Sequence, residues 1–147
     1  MMELEMERQS SAETAISELN QEFAQQFPMQ ILIAEDNVLN QKLIQKMLRR
    51  LGYEPVIVED GSEALEAVKS SCFNLLLMDL QMPKIDGIEA TRLIIEQIPE
   101  EDRPVIIALT AVVSNDVRQS CMDIGMKGFI SKPISMKKLA ETLKQYY

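Results

Sequence analysis

Histidine and tryptophan are absent from the 147 residues, and cysteine occurs only twice. Without histidine the chain cannot build the usual histidine-ligated zinc sites, a Ser-His or Cys-His catalytic pair, or a phosphohistidine of its own. Cys72 and Cys121 lie far apart, and neither has a second cysteine at metal-ligand spacing. We therefore expect two free thiols that are buried or half-buried, and any histidine chemistry has to come from another segment or protein.

Long apolar runs and an excess of positive charge are also missing. No segment approaches the roughly 20 apolar residues that a membrane-spanning helix needs. The acidic stretch 1–10 is unlike a secretory signal, which is basic and then apolar. The net charge is −8, and a chain without a Lys/Arg stripe is a poor ligand for a nucleic-acid backbone. We expect a cytoplasmic protein that neither inserts into membranes nor binds nucleic acid directly.

Short apolar runs alternate with longer segments of helical periodicity from residue 30 onward. The predicted strands are 31–34, 56–58, 75–78, 105–109 and 128–130. The predicted helices are 37–51, 62–70, 87–97, 114–124 and 135–146, several of them preceded by Asp, Ser or Gly suited to an N-terminal cap. Strands this short and apolar are typical of a parallel sheet that is covered on both faces. The pattern predicts one α/β domain of five strand-and-helix units over residues 29–147.

Residues 1–28 differ in composition from this domain and form an acidic, helical leader or linker. They carry six Glu and one Arg, a net charge of −5 out of −8, and end at Pro28. Ser10 and Glu13 have the spacing of a capping box. An apolar seam follows at Ala12, Ile16, Leu19 and Phe23. The seam has two interpretations: a signalling helix or homodimer contact, and a linker that packs on its own domain or frays. The second is favoured because short isolated helices are marginal in water.

Polar residues follow the predicted strands at the edge where open parallel sheets bind ligands. They are Glu35, Asp36, Asp79, Thr110 and Lys132. Three carboxylates in one cleft resist ionisation unless a cation neutralises them, and hard oxygen ligands suit Mg²⁺. An ammonium and a hydroxyl are the groups that hold phosphoryl oxygens. The set predicts a divalent-metal site beside a phosphoryl site, with Asp79, at the end of the central strand, as the nucleophile.

Four stretches of the sequence resemble the receiver domains of two-component response regulators, most of all the receiver modules of hybrid sensor histidine kinases. They are ILIAEDN at 31–37, LLMDLQMPKIDG at 76–87, ALTA at 108–111 and ISKPI at 130–134. The resemblance implies a flavodoxin-like (βα)₅ doubly wound parallel sheet with strand order 2-1-3-4-5, preceded here by the helical leader. It also implies a phosphorelay receiver that is not an enzyme with turnover. In such a protein Asp79 accepts a phosphoryl group from a histidine kinase or a histidine-phosphotransfer domain.

The resemblance also implies roles for the residues around Asp79. Asp36 would ligate Mg²⁺ directly, Glu35 mainly through water, and Gln81 through its backbone carbonyl. These assignments rest on motif positions. The chain departs from the family at Gln81 and at Val112, positions that influence how water reaches the acyl phosphate, so the lifetime of the phosphoryl group stays open.

A second group of implied roles concerns the conformational switch. Thr110 would be the switch hydroxyl, Phe129 the switch aromatic, and Lys132 would precede a cis Pro133. The family often has Tyr where this chain has Phe129. Because Phe129 has no hydroxyl to donate, it can signal only by packing.

Two other function classes remain open. One is a constitutive interaction module that keeps the fold without being phosphorylated, although the intact set of polar residues disfavours it. The other is a phosphohydrolase with an aspartyl nucleophile, which would normally have a second acid where this chain has Gln81. Whether the chain is a stand-alone relay protein or part of a hybrid kinase is also open, and the leader favours the second slightly.

Overall fold

The computed structural model describes residues 20–112 and 114–147. Within these ranges five parallel strands form one sheet. They are β1 Ile31–Ala34, β2 Val56–Val58, β3 Leu75–Asp79, β4 Val105–Thr110 and β5 Gly128–Ser131. The strands lie in the order β2-β1-β3-β4-β5. The predicted flavodoxin-like fold with strand order 2-1-3-4-5 is therefore confirmed.

Six α-helices and a 3₁₀ turn at Glu100–Asp102 accompany the sheet in the described part of the chain. The helices are α1 Glu22–Gln26, α2 Val38–Arg50, α3 Gly61–Ser70, α4 Gly87–Gln97, α5 Asn115–Asp123 and α6 Met136–Tyr146. A side chain caps the N-terminus of each helix from α2 to α6 by accepting a hydrogen bond from the N–H three residues on. The capping residues are Asn37, Asp60, Asp86, Ser114 and Ser135. Each of these helices begins within one residue of its predicted start.

The strand side chains alternate between two apolar layers. On one face Ile31, Ile33 and their counterparts on the other strands pack with α2 and α6. On the opposite face Leu32 and Ala34 pack with α3, α4 and α5. Because both faces of the sheet are covered, each strand is a continuous apolar run in the sequence.

The two cysteines differ in exposure. Cys121 is buried in α5, whereas Cys72 is exposed. The expectation of a buried or half-buried thiol is therefore wrong for Cys72, because this residue lies in the loop after α3 ends at Ser70 and does not join either apolar layer. Among the helices in residues 20–112 and 114–147, none combines the length and the apolar character needed to cross a bilayer.

The leader is described only from residue 20 onward. Ser10, Glu13 and three members of the predicted seam, Ala12, Ile16 and Leu19, lie outside the described residues. Phe23, the fourth member, is only 3% exposed and belongs to the apolar layer that contains α2 and α6. The described end of the leader therefore packs on its own domain, as the second interpretation of the seam expects.

Candidate functional site

Four of the predicted site residues meet at the carboxyl edge of the sheet. Glu35 and Asp36 follow β1, Asp79 ends β3, and Lys132 follows β5. The three acidic residues each place a carboxylate oxygen within 4.8 Å of the others. Lys132 Nζ lies 3.1 Å and 3.3 Å from the two carboxylate oxygens of Glu35 and 3.2 Å from Asp79 Oδ2. We call Glu35, Asp36 and Asp79 the acidic cluster.

The members of the acidic cluster differ in their access to solvent. Glu35 is fully buried and Asp79 is 4% exposed, while Asp36 is exposed. The backbone fixes both buried residues, since the N–H of Glu35 donates to the Val58 carbonyl at 3.0 Å. The N–H of Gln81 donates to Asp79 Oδ1 at 3.1 Å. Asp79 thus keeps Oδ2 on the side of Lys132.

Burial and the nearby negative charge of Asp79 together determine the protonation of Glu35. Burial raises the pKa of Glu35 to about 7, and a hydrogen bond to Asp79 and the charge of Asp79 act in the same direction. Asn40 and Lys132 oppose this rise in the pKa. One ammonium cannot neutralise three carboxylates, so a protonated Glu35 or an added cation is needed near neutral pH.

The donor set fits a hard divalent cation. Carboxylate oxygens this close together can share one ion, and Mg²⁺ takes oxygen ligands and keeps several waters. Because Asp36 is exposed, an ion would have access from solvent. The carboxylates of Glu35, Asp36 and Asp79 would hold it. Ligation by the backbone carbonyl of Gln81 stays a prediction.

One predicted switch residue, Thr110, lies beside the acidic cluster. Thr110 ends β4, one residue after the Leu109 that pairs with Asp79 on β3. Its hydroxyl donates to the Val112 carbonyl at 2.9 Å and accepts from the Val112 N–H at 3.0 Å. The hydroxyl is therefore held by its own loop.

The other predicted switch residue, Phe129, lies on β5 and is half-buried. The guanidinium carbon of Arg118 lies 4.2 Å from the centroid of its ring. The Lys132–Pro133 peptide bond is cis, in agreement with the expectation.

Two further residues support Glu35 and were not found from the sequence. The side-chain amide of Gln41 donates to the backbone carbonyl of Glu35 at 2.6 Å. The side chain of Asn40 acts to lower the pKa of Glu35. Their sequence position could have indicated this role, because both residues lie in the first turns of the helix that follows the acidic pair Glu35-Asp36. Polar side chains there can turn back toward the strand end.

The chain is similar to several known proteins. The relatives include histidine protein kinase 1 of Candida albicans, 42% identical over 129 residues, which are 82% of this chain and 5% of that protein. The chain thus spans a small fraction of this curated relative. A solved receiver domain of sensor histidine kinase PA1611 from Pseudomonas aeruginosa, with a magnesium ion coordinated in its active-site cleft, is 37% identical. That match has a TM-score of 0.73 and covers 80% of this chain and 96% of that chain.

A second solved structure contains the Saccharomyces cerevisiae histidine phosphotransfer protein Ypd1 with the receiver domain of its downstream response regulator Ssk1. The match has 28% identity and a TM-score of 0.75, and covers 80% of this chain and 88% of that chain. The family model described as the response regulator receiver domain matches residues 31–144. Because this match runs from the start of β1 into the last turn of α6, the chain belongs to the family of response regulator receiver domains.

Proposed function

We propose that Asp79 is the phosphoacceptor of a two-component phosphorelay and receives its phosphoryl group from a phosphohistidine on another segment or protein. The observation that carries the proposal is the convergence of Asp79 with Glu35, Asp36 and Lys132 at one strand edge. A buried carboxylate beside one ammonium and two further carboxylates matches what Mg²⁺-dependent transfer to an acid requires.

In the proposed reaction, a carboxylate oxygen of Asp79 attacks phosphorus in line with the phosphorus–nitrogen bond of the donor. That bond breaks, and its electron pair returns to the donor imidazole. The N–H of Gln81 holds Asp79 Oδ1, so Oδ2, which faces Lys132, is the attacking atom. Lys132 then neutralises charge on the phosphoryl oxygens. Mg²⁺, held by Glu35, Asp36, Asp79 and the Gln81 carbonyl, supplies additional positive charge when bound.

Phosphorylation would act on the protein as a population shift. A phosphoryl group on Asp79 offers new acceptors to the Thr110 hydroxyl, which in the described state bonds to its own loop. Movement of Thr110 leaves space that Phe129 can fill by packing. The expected result is a changed surface at α5, β5 and α6.

We further propose that the phosphohistidine-bearing domain docks on the exposed apolar side chains at the start of α2. Val38 is 54% exposed, Leu39 77% and Leu43 42%. Apolar side chains this exposed next to a reaction site are typical of a partner contact. They begin two residues after Asp36, so a partner seated on them has its histidine beside the acidic cluster. The complex of Ypd1 with a similar receiver supports this type of donor.

The phosphoacceptor is tested by mass. The protein is incubated with Mg²⁺ and acetyl phosphate, or with a phosphorylated histidine-phosphotransfer protein, and its intact mass is measured. We expect a gain of one phosphoryl group that disappears in Asp79→Asn and persists in the matched variant Asp102→Asn, which changes an exposed acid. No gain from any donor would leave a constitutive interaction module as the better interpretation.

The docking face has a separate test. Leu39→Gln and Leu43→Gln should slow transfer from the phosphorylated histidine protein while labelling by acetyl phosphate stays unchanged. Met122→Gln, at a residue 50% exposed on α5, serves as the matched control and should leave both reactions unchanged. Equal effects on both donors would contradict docking at α2.

We also infer that the chain acts in the cytoplasm as the receiver portion of a hybrid histidine kinase, and that it catalyses only its own phosphorylation and dephosphorylation. The similarity to histidine protein kinase 1, of which the chain covers 5%, supports the inference that the chain is the receiver portion of a larger kinase. Two free cysteines suit a reducing compartment. The size of the protein that an antibody against residues 29–147 detects in cell extract tests whether the receiver is part of a larger chain.

A further inference from the structure

Residues 20–28, which we call the strap, are held against the domain by backbone bonds and by ring contacts. The N–H of Ala24 donates to the Leu51 carbonyl at 2.9 Å. The hydroxyl of Tyr53 donates to the Phe27 carbonyl at 2.5 Å. The ring centroid of Phe23 lies 4.9 Å from that of Phe27 and 6.3 Å from that of Tyr53. These contacts hold the strap against the end of α2 and the loop that follows it.

The turn after α2 allows the strap to approach the backbone closely. Gly52 has a φ of +98°, a conformation that favours glycine. A Cβ at this position would collide with the backbone oxygen of Gln21 and approach Ala24 Cβ to 3.0 Å. Glycine here therefore serves both the end of α2 and the close approach of the strap.

The strap also reaches the last helix of the domain. The ring of Phe27 packs edge-on against Tyr147, with centroids 5.4 Å apart, and Lys144 Nζ lies 5.9 Å from the Phe27 centroid. Phe23 belongs to the apolar layer that contains both α2 and α6. The strap thus joins the C-terminal ends of two neighbouring helices.

The strap and the acidic cluster lie at opposite edges of the sheet. Leu51 and Gly52 precede β2, so they lie at the amino ends of the parallel strands, whereas Asp79 is at a carboxyl end. We propose that the strap belongs to the receiver, and that it holds its own first residues against the end of α2 without taking part in phosphoryl chemistry. The folding unit then includes residues 20–28, which the composition had separated from the domain.

Variants of the full chain test this proposal. Phe23→Ala removes a buried aromatic and should lower the Tm by about 10 °C or more. The matched variant Gln25→Ala changes an exposed residue of the same helix and should stay within about 2 °C of the unmodified protein. Both variants should accept a phosphoryl group from acetyl phosphate at the unmodified rate below their Tm. The Ala24 amide should exchange with solvent as slowly as amides of the central strands.

Equal Tm values for Phe23→Ala and Gln25→Ala would overturn the strap as an element of the domain, and so would exchange of the Ala24 amide at the rate of an unstructured peptide. Loss of labelling in folded Phe23→Ala would contradict the separation of the strap from phosphoryl chemistry. A chain that starts at residue 29 should melt lower than one that starts at residue 20. Equal melting of the two truncated chains would count against the proposal as well.

An independent observation concerns Phe129. Its ring has no hydroxyl that could hold it in one position by a hydrogen bond, but the Arg118 guanidinium carbon lies 4.2 Å from its centroid. Thr110, Arg118 and Phe129 line the same narrow cleft. A cation over an aromatic face at this distance stabilises the arrangement. The ring is therefore restrained from the α5 side, next to the residue that the phosphoryl group is proposed to move.

We infer that Arg118 is a positioning residue of the switch, and that it holds Phe129 in the resting position in place of a hydroxyl hydrogen bond. This inference rests on the proposed function. In this inference the switched position of the Phe129 ring lies out of reach of the guanidinium. Removing the guanidinium then destabilises only the resting state and should favour the conformation that a phosphoryl group selects.

Binding of beryllofluoride, a phosphoryl mimic, in the presence of Mg²⁺ tests the role of Arg118. We expect Arg118→Ala to bind the mimic about two- to five-fold more tightly than the unmodified protein, the range of an exposed cation–π contact. Arg118→Lys should lie between them, and Arg118→Ala should have no effect in a Phe129→Leu background. Unchanged or weaker binding, or the same effect in both backgrounds, would overturn the inference. Failure of the unmodified protein to bind the mimic would contradict the proposed function itself.

Discussion

Replacing Glu35 by Gln should stabilise the metal-free protein at and above neutral pH. Glu35 is fully buried, and its pKa is raised from 4.5 to about 7, first by burial and then by Asp79. A carboxyl group with a higher pKa in the folded state makes its full contribution to stability below pH 4.5 and loses it as the pH rises through 7. This rise in the pKa corresponds to roughly 3 kcal/mol, at about 1.4 kcal/mol per pKa unit. Glutamine keeps the shape of the side chain and does not titrate.

The assay is urea unfolding in EDTA at several pH values between 5 and 8. The quantity of interest is the free energy of unfolding of Glu35→Gln minus that of the unmodified protein. This difference should increase by up to about 3 kcal/mol across the range. Lys132 Nζ lies 3.2 Å from Asp79 Oδ2 in the unmodified protein, so the ammonium should retain a partner in Glu35→Gln.

Two controls make the result specific. Glu141→Gln, an exposed change on α6, should give a difference that does not depend on pH. Excess Mg²⁺ should stabilise the unmodified protein more than Glu35→Gln, because stabilisation by a bound ligand grows with the logarithm of its affinity for the folded state and the variant lacks one carboxylate. A difference between Glu35→Gln and the unmodified protein that stays constant from pH 5 to 8 would refute the claim that burial and Asp79 raise the pKa of Glu35.

Three further outcomes are expected. Gly52→Ala should lower the free energy of unfolding in urea by about 1–3 kcal/mol, because alanine is strained at φ +98°. Labelling by acetyl phosphate should not change, since this turn is far from Asp79. Unchanged stability would contradict the close approach of the strap. Gly87→Ala should lower both stability and labelling rate, because its Cβ would collide with the backbone oxygen of Asp79; normal labelling would show that the loop adapts. Lys132→Met should slow labelling on the order of 100-fold, measured by intact mass over time, and an unchanged rate would remove the ammonium from the mechanism.

The fold could be predicted closely from the sequence because the strands and the helices each have a recognisable local sequence pattern. The strands were found as apolar runs, since both faces of the sheet are covered, and β1 and β2 have the predicted bounds. The strands β3, β4 and β5 each extend one residue further, into Asp79, Thr110 and Ser131. The polar side chains at these positions predicted that each strand ends one residue earlier. The hydrogen bonds between the strands continue, because backbone pairing does not depend on the side chain.

What the sequence could not give were contacts that depend on side-chain conformation or on distant partners. The site residues were found from strand ends, but the bond between the Thr110 hydroxyl and Val112 depends on a rotamer. The acidic composition of residues 1–28 separated them from the domain. The hydrogen bond from the Tyr53 hydroxyl to the carbonyl of Phe27, 26 residues away, became visible only in three dimensions.

The attachment of α6 at both ends limits how this helix can move. Its 11 residues span about 16 Å. The helix begins four residues after Lys132, which contacts Asp79, and the residue after its last turn, Tyr147, packs on Phe27 of the strap. A slide of α6 along its axis would pull Tyr147 away from Phe27, whereas a tilt about Tyr147 would keep the two rings in contact. We therefore expect a displacement that begins at Lys132 to tilt α6 about its contact with the strap, with the largest movement next to the acidic cluster.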